Sequence, residues 1–170
     1  MDRGNHYEAA FEAYLQEHRL CYMAVNERRR SVYRQQPIKN LDFVVYGDTD
    51  ARLLIDVKGR RFRSTWQNWA TQEDVDGLLG WLERFGPGYE ALLVFMYHMM
   101  PPLTVPDDTP DLWEWHGRNY LLRAVRVEEY REHMRVRSPK WRTVGLPSAA
   151  FRELVRPFRH FLDAAQPVGG

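Results

Sequence analysis

The stretch that decides the fold is NLDFVVYGDTDARLLIDVKG, residues 40–59. Two runs rich in Val, Ile, Leu and aromatic residues flank a connection of Gly and Asp, which is typical of two antiparallel strands joined by a turn. Strands this apolar are normally buried, and a buried carboxylate needs a cation, a metal ion or hydrogen-bond donors to offset its lost hydration. Asp42 and Asp56 therefore require partners. Because side chains alternate between the faces of a strand, we expect Asp56 and Lys58 to share one face.

The composition indicates a folded protein with one core. The chain has 170 residues, of which 44% are hydrophobic and 14% aromatic. We expect a single domain over residues 1–170, with its core at about 5–100 and a C-terminal extension at about 101–170. The 24 basic and 23 acidic residues give a net charge of +1. The molecule therefore has no strong overall field for polyanions, and any nucleic-acid binding has to be local.

Cysteine usage and hydropathy point to a reducing compartment. Cys21 is the one cysteine of the sequence, so the chain has no intramolecular disulfide and no Cys-based zinc site. The first residues lack an apolar signal core, and no run approaches the roughly 18 apolar residues of a membrane span. We expect a cytoplasmic protein with no membrane segment.

The elements around the hairpin predict an α/β fold of mixed type. Residues 5–19 carry apolar side chains at three- and four-residue spacing, which indicates an amphipathic helix. A weakly alternating strand is predicted at 20–25. A second helix begins after Thr71 as its N-cap, and the apolar run at 91–97 predicts a central strand. Strand, helix and strand in this order indicate a parallel crossover.

The C-terminal extension is predicted to add a hairpin and helices. Strand-like runs flank residues 116–119, which have the composition of a hairpin turn. Residues 127–135 are predicted to form a short helix. Ser148 is predicted to cap a final helix that kinks or breaks at Pro157.

Two basic clusters flank the predicted hairpin. Both are candidate contacts to substrate phosphates, although a solvated surface run remains the alternative for the first cluster. The clusters consist of Arg28, Arg29 and Arg30 before the hairpin, and of Arg60, Arg61 and Arg63 directly after Lys58. The second cluster adjoins the acids, where a substrate phosphate would be bound.

The hairpin acids are suited to hold a hard divalent cation. Magnesium and manganese prefer oxygen ligands, and two or three carboxylates at one position are the usual protein contribution. Asp42 and Asp56 could supply them, and the backbone carbonyl of Val57 could add another. A lysine two residues beyond a ligating acid can hold or deprotonate an attacking water while the cation stabilises charge on phosphorus. This chemistry is phosphodiester hydrolysis. The alternative is a buried Asp56–Lys58 ion pair without a metal.

Four features of the sequence together resemble the PD-(D/E)xK nuclease superfamily. They are an acidic first helix, an acid at the start of one strand, a turn, and acid-x-Lys in the next strand. The resemblance implies a restriction-endonuclease-like core with αβββαβ order, an Mg²⁺ or Mn²⁺ cofactor, and nucleic acid as partner, DNA before RNA. By this likeness Glu8 matches the acid of the first helix, Asp42 the second motif and Asp56-Val57-Lys58 the D-x-K triplet. On its local sequence, Glu8 could instead cap its helix.

The match to this superfamily has two departures. Leu41 stands where the family name places Pro. Some members also use a Gln on the following helix, and Gln72 and Gln67 are both candidates for that part.

The segment His6-Tyr7-Glu8-Ala9-Ala10-Phe11-Glu12 resembles the H-Y-E-x-A-F-E signature of a family of uncharacterised bacterial proteins. That second resemblance implies no activity. Because its signature centres on Glu8, it favours a functional role for this residue.

Two function classes follow from the sequence. The first is a metal-dependent nuclease-like enzyme that uses Glu8, Asp42, Asp56 and Lys58. The second is a non-catalytic nucleic-acid-binding or protein-interaction module on the same fold, because a fold does not fix a function. The sequence leaves a monomer and a homodimer both open.

Overall fold

The computed structural model of the chain describes residues 5–25, 31–33, 36–39, 41–47 and 50–163. The helices in these ranges are α1 (Asn5–Glu17), α2 (Gln72–Phe85), α3 (Val127–His133), α4 (Ser148–Leu154) and α5 (Phe158–Asp163). The first strands are β1 (Cys21–Ala24), β2 (Ser31–Tyr33), β3 (Gln36–Ile38), β4 (Phe43–Tyr46), β5 (Arg52–Phe62) and β6 (Ala70–Thr71). The later strands are β7 (Glu90–Met99), β8 (Leu112–Trp115), β9 (Arg118–Arg126), β10 (Arg135–Ser138), β11 (Thr143–Gly145) and β12 (Arg156–Pro157).

A mixed central sheet organises the molecule. Its strands lie in the order β1-β4-β5-β7-β9-β12, and β8 pairs with β9. The β4–β5 hairpin is antiparallel, whereas β5 and β7 are parallel and are connected through α2. This arrangement confirms the predicted parallel crossover and the αβββαβ order of the core.

The hairpin register explains where Asp42 lies. Phe43 pairs with Ile55 and Tyr46 with Arg52, so β4 begins one residue after Asp42. We expected Asp42 inside the strand, and it lies immediately before it. Its backbone N–H still donates to Ile55 O at 2.8 Å. The Asp42 side chain then occupies the position of the next backbone partner of β5, and the backbone pairing of β4 with β5 ends there.

The two faces of the sheet carry separate hydrophobic layers. On one face α1 packs through Phe11, Tyr14 and Leu15, which are almost completely buried. Burial of each such side chain contributes roughly 1.5–3 kcal/mol. On the other face α2 packs through Val75 and Leu78. Alternate residues of β5 therefore face different helices.

Helix α2 begins where the sequence predicts. Thr71 is its N-cap, and the Asp74 N–H donates to Thr71 Oγ1 at 3.0 Å. In return the Thr71 N–H donates to Asp74 Oδ2 at 3.0 Å. This reciprocal capping box satisfies two of the four free N–H groups at a helix start. The helix ends at Gly86, whose φ of +83° favours glycine.

The C-terminal part follows the predictions in most respects. The β8–β9 hairpin turns through His116 and Gly117, and the final helix is broken at Pro157 into α4 and α5. The predicted cap at Ser148 is wrong, because Ser148 is the first residue of α4 and Pro147 occupies the N-cap position without a side-chain hydrogen bond. A three-stranded sheet in the order β10-β11-β6 was not predicted, because β6 has only two residues. Among the described helices, none is long and apolar enough to cross a membrane.

Candidate functional site

Two buried aspartates meet at the open end of the β4–β5 hairpin. Asp42 is 5% exposed and Asp56 is 6% exposed. The Asp42 and Asp56 side chains lie next to each other. Lys58 Nζ lies 3.3 Å from Asp56 Oδ1, which confirms that Asp56 and Lys58 share a face.

The end of the β4 ladder positions Asp42. No β4 residue pairs with Val57, and the Val57 N–H donates instead to Asp42 Oδ2 at 2.7 Å. The N–H and C=O of a strand residue point to the same side. The Val57 carbonyl therefore points to the side on which the Asp42 carboxylate lies. Two carboxylates and one carbonyl converge on this end of the hairpin.

Lys58 joins the acid pair to helix α2. Its Nζ lies 2.9 Å from Asp74 Oδ2, at the side chain that closes the capping box. The Lys39 ammonium donates to the other oxygen of the same carboxylate. Lys58 thus lies between the carboxylates of Asp56 and Asp74, and its ammonium is well paired.

The pKa values of the two acids beside Lys58, Asp56 and Asp74, are shifted in opposite directions. Burial raises the pKa of the Asp56 carboxyl, and Asp74 adds to the rise, while Lys58 opposes it. For Asp74, burial also acts to raise the pKa, but Lys58, Lys39 and the Thr71 N–H outweigh it and hold the pKa well below its usual range. At Lys58 burial acts to lower the pKa, and Asp56 and Asp74 outweigh that effect and raise it. Lys58 is therefore a cation at neutral pH.

Helix α1, which carries Glu8, packs on the face of the sheet opposite to Lys58. The Tyr22 hydroxyl of β1 donates to Glu12 Oε1 at 2.9 Å, so this side of α1 faces β1. Residues four apart lie on one side of a helix, which places Glu8 on that side, one turn nearer to Tyr7. The Tyr7 ring covers Gly59 so closely that a Cβ there would come within 2.2 Å of it. The start of α1, with Glu8, therefore lies over the part of β5 that contains Lys58, but on the opposite face of the sheet.

The arginines after Lys58 line a cleft. This cleft has a volume of about 520 Å³ and begins at Gly59, the residue next to Lys58. Its walls include Arg60, Arg61 and Arg63. Arg60 is held by the protein itself: its guanidinium donates to Gly59 O at 2.7 Å and to Trp69 O, and it lies 4.0 Å from the Trp69 ring.

The other predicted site residues are the three arginines before the hairpin and the two candidate glutamines. Arg28, Arg29 and Arg30 lie outside the described residues. Gln72 donates through its side chain to Asp76 at 3.0 Å. Gln67 is exposed and lies in the wall of the cleft. The α2 residue that the structure brings to Lys58 is Asp74, which we did not predict as a site residue. Its position three residues after Thr71 is the signal for the cap, but the contact with Lys58 depends on tertiary packing.

The structure also accounts for the first two residues of the H-Y-E segment. His6 Nδ1 lies 3.0 Å from the Tyr120 hydroxyl, and Tyr7 packs on Gly59. The pKa of His6 is lowered by burial and by the neighbouring Arg118. Both side chains thus fix the start of α1 over the ends of β5 and β9.

The donor set fits a magnesium or manganese ion with few protein ligands. Within the part of the chain that the structure describes, no group of three Asp, Glu, His or Cys side chains is arranged to hold a metal. Mg²⁺ commonly takes one or two carboxylates and completes its shell with water and substrate phosphates. Asp42 and Asp56 offer such a pair.

Comparisons with known proteins bear on the fold. No family model and no curated protein matches the chain. Among solved structures, its fold is similar to that of Archaeoglobus fulgidus Hjc, a Holliday junction resolvase from an archaeal hyperthermophile. The TM-score is 0.53 at 15% identity, and the match covers 89% of this chain and 93% of that chain. At this identity the likeness shows the fold alone, and it confirms the restriction-endonuclease-like core of mixed α/β type.

Proposed function

We propose that this protein is a divalent-metal-dependent nuclease that hydrolyses phosphodiester bonds in DNA. The observation that carries the proposal is the buried Asp42–Asp56 pair beside the protonated Lys58, at the open end of the hairpin. A like-charged pair of acids is costly to bury, and it is useful where a cation has to be bound. The fold shared with a Holliday junction resolvase favours DNA over RNA.

Each residue of the site would have its own role in the reaction. Asp42, Asp56 and the Val57 carbonyl would hold Mg²⁺ or Mn²⁺, and Glu8 would contribute from α1. When bound, the ion supplies Lewis-acid stabilisation of the phosphoryl oxygens and a water of lowered pKa. Lys58, kept protonated by Asp56 and Asp74, would orient the attacking water and stabilise negative charge on the phosphate. Because it is already protonated, it is not the general base in the free protein.

The cleft would hold the substrate backbone. Arg61 and Arg63 are exposed at its wall and are available to phosphates. Arg60 would act mainly by shaping the cleft, since its guanidinium binds two backbone carbonyls and stacks on Trp69. Phosphate contacts of this kind position the duplex without reading its sequence.

A cleavage assay tests the proposal. Linear duplex DNA, a four-way DNA junction and RNA are incubated with Mg²⁺ or Mn²⁺ and with wild type, Asp56→Asn or Lys58→Met. We expect metal-dependent cleavage by the wild type and a loss of about 10²- to 10³-fold in each variant. Asp111→Asn is the matched control, because Asp111 is also buried, at 4% exposure, but lies outside the site. Cleavage that survives both substitutions would contradict the assignment.

A second candidate is a non-catalytic nucleic-acid-binding or protein-interaction module on the same fold. The observation that favours it is the pairing of Lys58 with two carboxylates, which partly neutralises the site within the protein. Calorimetric titration with Mn²⁺ separates the two candidates. Binding that disappears in Asp56→Asn supports the nuclease, and the absence of binding at millimolar Mn²⁺ supports the module.

A further inference from the structure

A second cleft adjoins the first. It has a volume of about 360 Å³ and shares Gln67 and Trp69 with the first cleft. Its lining includes Arg135, Val136 and Arg137 of strand β10. The two clefts meet at Gln67 and Trp69, and together they are called the groove.

The lining of this groove is basic. The two clefts together carry five arginines, and none of the described residues that line them is Asp or Glu. The adjoining sequence, residues 133–152, contains five lysines and arginines and no acidic residue. In a protein whose net charge is only +1, this is a concentrated local excess of positive charge.

An exposed aromatic side chain lies at the end of β10. Trp141 is 69% exposed, and the Lys140 ammonium lies 5.2 Å from the centre of its ring. The two tryptophans that line the groove are less exposed: Arg60 and Arg137 lie over Trp69, and Trp66, which is 38% exposed, packs against Phe62. An indole ring that is exposed among cations offers a flat surface on which an unpaired base can stack.

The β10–β11 turn is attached to the acid site through α2. The Gln72 N–H donates to Arg142 O at 2.8 Å, and Thr143 of β11 pairs with Thr71. Two residues after Gln72, Asp74 binds Lys58. The turn that presents Trp141 is therefore held at a fixed position relative to Lys58.

We propose that this groove, with its arginines Arg135 and Arg137 and with the exposed Trp141 of the neighbouring β10–β11 turn, binds a single strand of nucleic acid that leads to or from the Lys58 site. The partner is unpaired because a base can stack on Trp141 only when it has left the duplex. The inference rests on the proposed nucleic-acid substrate and adds a binding surface in the C-terminal extension. It makes substrates with an unpaired arm or gap the preferred class.

Binding is measured without cleavage, in EDTA, by fluorescence anisotropy of labelled single-stranded DNA and of the same sequence as a blunt duplex. We expect Trp141→Ala to weaken single-strand binding by roughly 5- to 150-fold and duplex binding much less. Arg135→Gln should reduce the slope of log affinity against log salt by about 0.7, the value for one lost phosphate contact on a single strand.

Two exposed residues away from the groove serve as matched controls. Phe85→Ala removes an aromatic ring that is 37% exposed, and Arg131→Gln removes an exposed cation of α3. Both should bind single strands like the wild type. Thermal unfolding of each variant checks that the fold is retained.

The outcomes separate this inference from the proposed nuclease. If Trp141→Ala binds single strands as tightly as wild type, or if duplex is bound as tightly as single strands, the groove proposal is overturned whatever the cleavage assay shows. If Trp141→Ala is weakened while Phe85→Ala and Arg131→Gln bind normally in EDTA, the groove proposal stands even for a protein that cleaves no substrate.

Discussion

The middle of β5 and the start of α2 each bury an aspartate against Lys58, but the pKa values of the two carboxyl groups are shifted in opposite directions. Asp74 accepts hydrogen bonds from the Thr71 N–H and from two ammonium groups, and its pKa is held low. Asp56 faces Asp42 and Asp74 as well as Lys58, and burial raises its pKa. The ionised form of Asp74 therefore stabilises the fold, whereas the ionised form of Asp56 destabilises it.

Asp111 shows that burial of an acid is not in itself a sign of function. Its carboxylate accepts from the Tyr14 hydroxyl at 3.2 Å and from the Arg159 N–H at 2.7 Å. Burial and the nearby Asp111 raise the pKa of Tyr14, so this hydroxyl remains a donor. Asp111 thus has donors as partners, as Asp74 does. Asp56 is distinguished by its contact with another acid, which is the property expected of a cation site.

The largest effect on stability is expected at Asp74. Asp74→Asn removes the charge that pairs with Lys58 and Lys39, and the free energy of unfolding should fall by about 3 kcal/mol at pH 7. Because the folded-state pKa of Asp74 is depressed, this contribution is present above about pH 4 and is lost as the pH falls toward the folded-state pKa. Urea unfolding at several pH values measures both.

Asp76→Asn is the control for this measurement, since Asp76 is exposed on the same helix. It should change stability by less than about 0.5 kcal/mol. An Asp74→Asn protein as stable as wild type at pH 7 would show that the cap and the lysines do not depend on this charge.

A smaller loss is expected at Asp111. The amide oxygen of Asp111→Asn can still accept one of the two hydrogen bonds, so the free energy of unfolding should fall by about 1–2 kcal/mol. Cleavage measured on the folded variant should remain at the wild-type rate. A loss of cleavage without unfolding would mean that Asp111, too, belongs to the functional site.

The smallest effect is expected at Asp56, and it has the opposite sign. Asn resembles the protonated form that burial favours, so Asp56→Asn should raise the free energy of unfolding by about 1 kcal/mol at neutral pH. Because the folded-state pKa of Asp56 is raised, the wild type loses stability as the pH rises through that pKa. In acid the wild-type carboxyl is protonated and uncharged like Asn, so the stability difference between wild type and Asp56→Asn should vanish. A destabilised Asp56→Asn protein would instead mark the Asp56–Lys58 contact as a structural ion pair.

The fold could be predicted from the sequence because its signals are local. The apolar runs on either side of the Gly47 turn define β4 and β5, and the Thr71 capping box defines the start of α2. The apolar run at β7 predicts a strand covered on both faces, as observed. Strands β6, β10 and β11 escaped prediction because such short segments have no periodicity and are held by tertiary pairing.

The site could be predicted only in part. Alternation along β5 placed Asp56 and Lys58 on one face, and the ion pair between them confirms this. The contact of Asp74 with Lys58 joins residues from different elements, and no local pattern indicates it. The sequence also does not show that α1 and Lys58 lie on opposite faces of the sheet. The contribution of Glu8 therefore remains a proposal.

Anomalous diffraction from crystals grown or soaked with Mn²⁺ tests the cation site most directly. We predict a manganese peak between the carboxylates of Asp42 and Asp56, with the Lys58 ammonium beside it and no peak in Asp56→Asn crystals. Manganese absent from this position at millimolar concentration, with the Asp42 and Asp56 side chains in unchanged positions, would contradict the account.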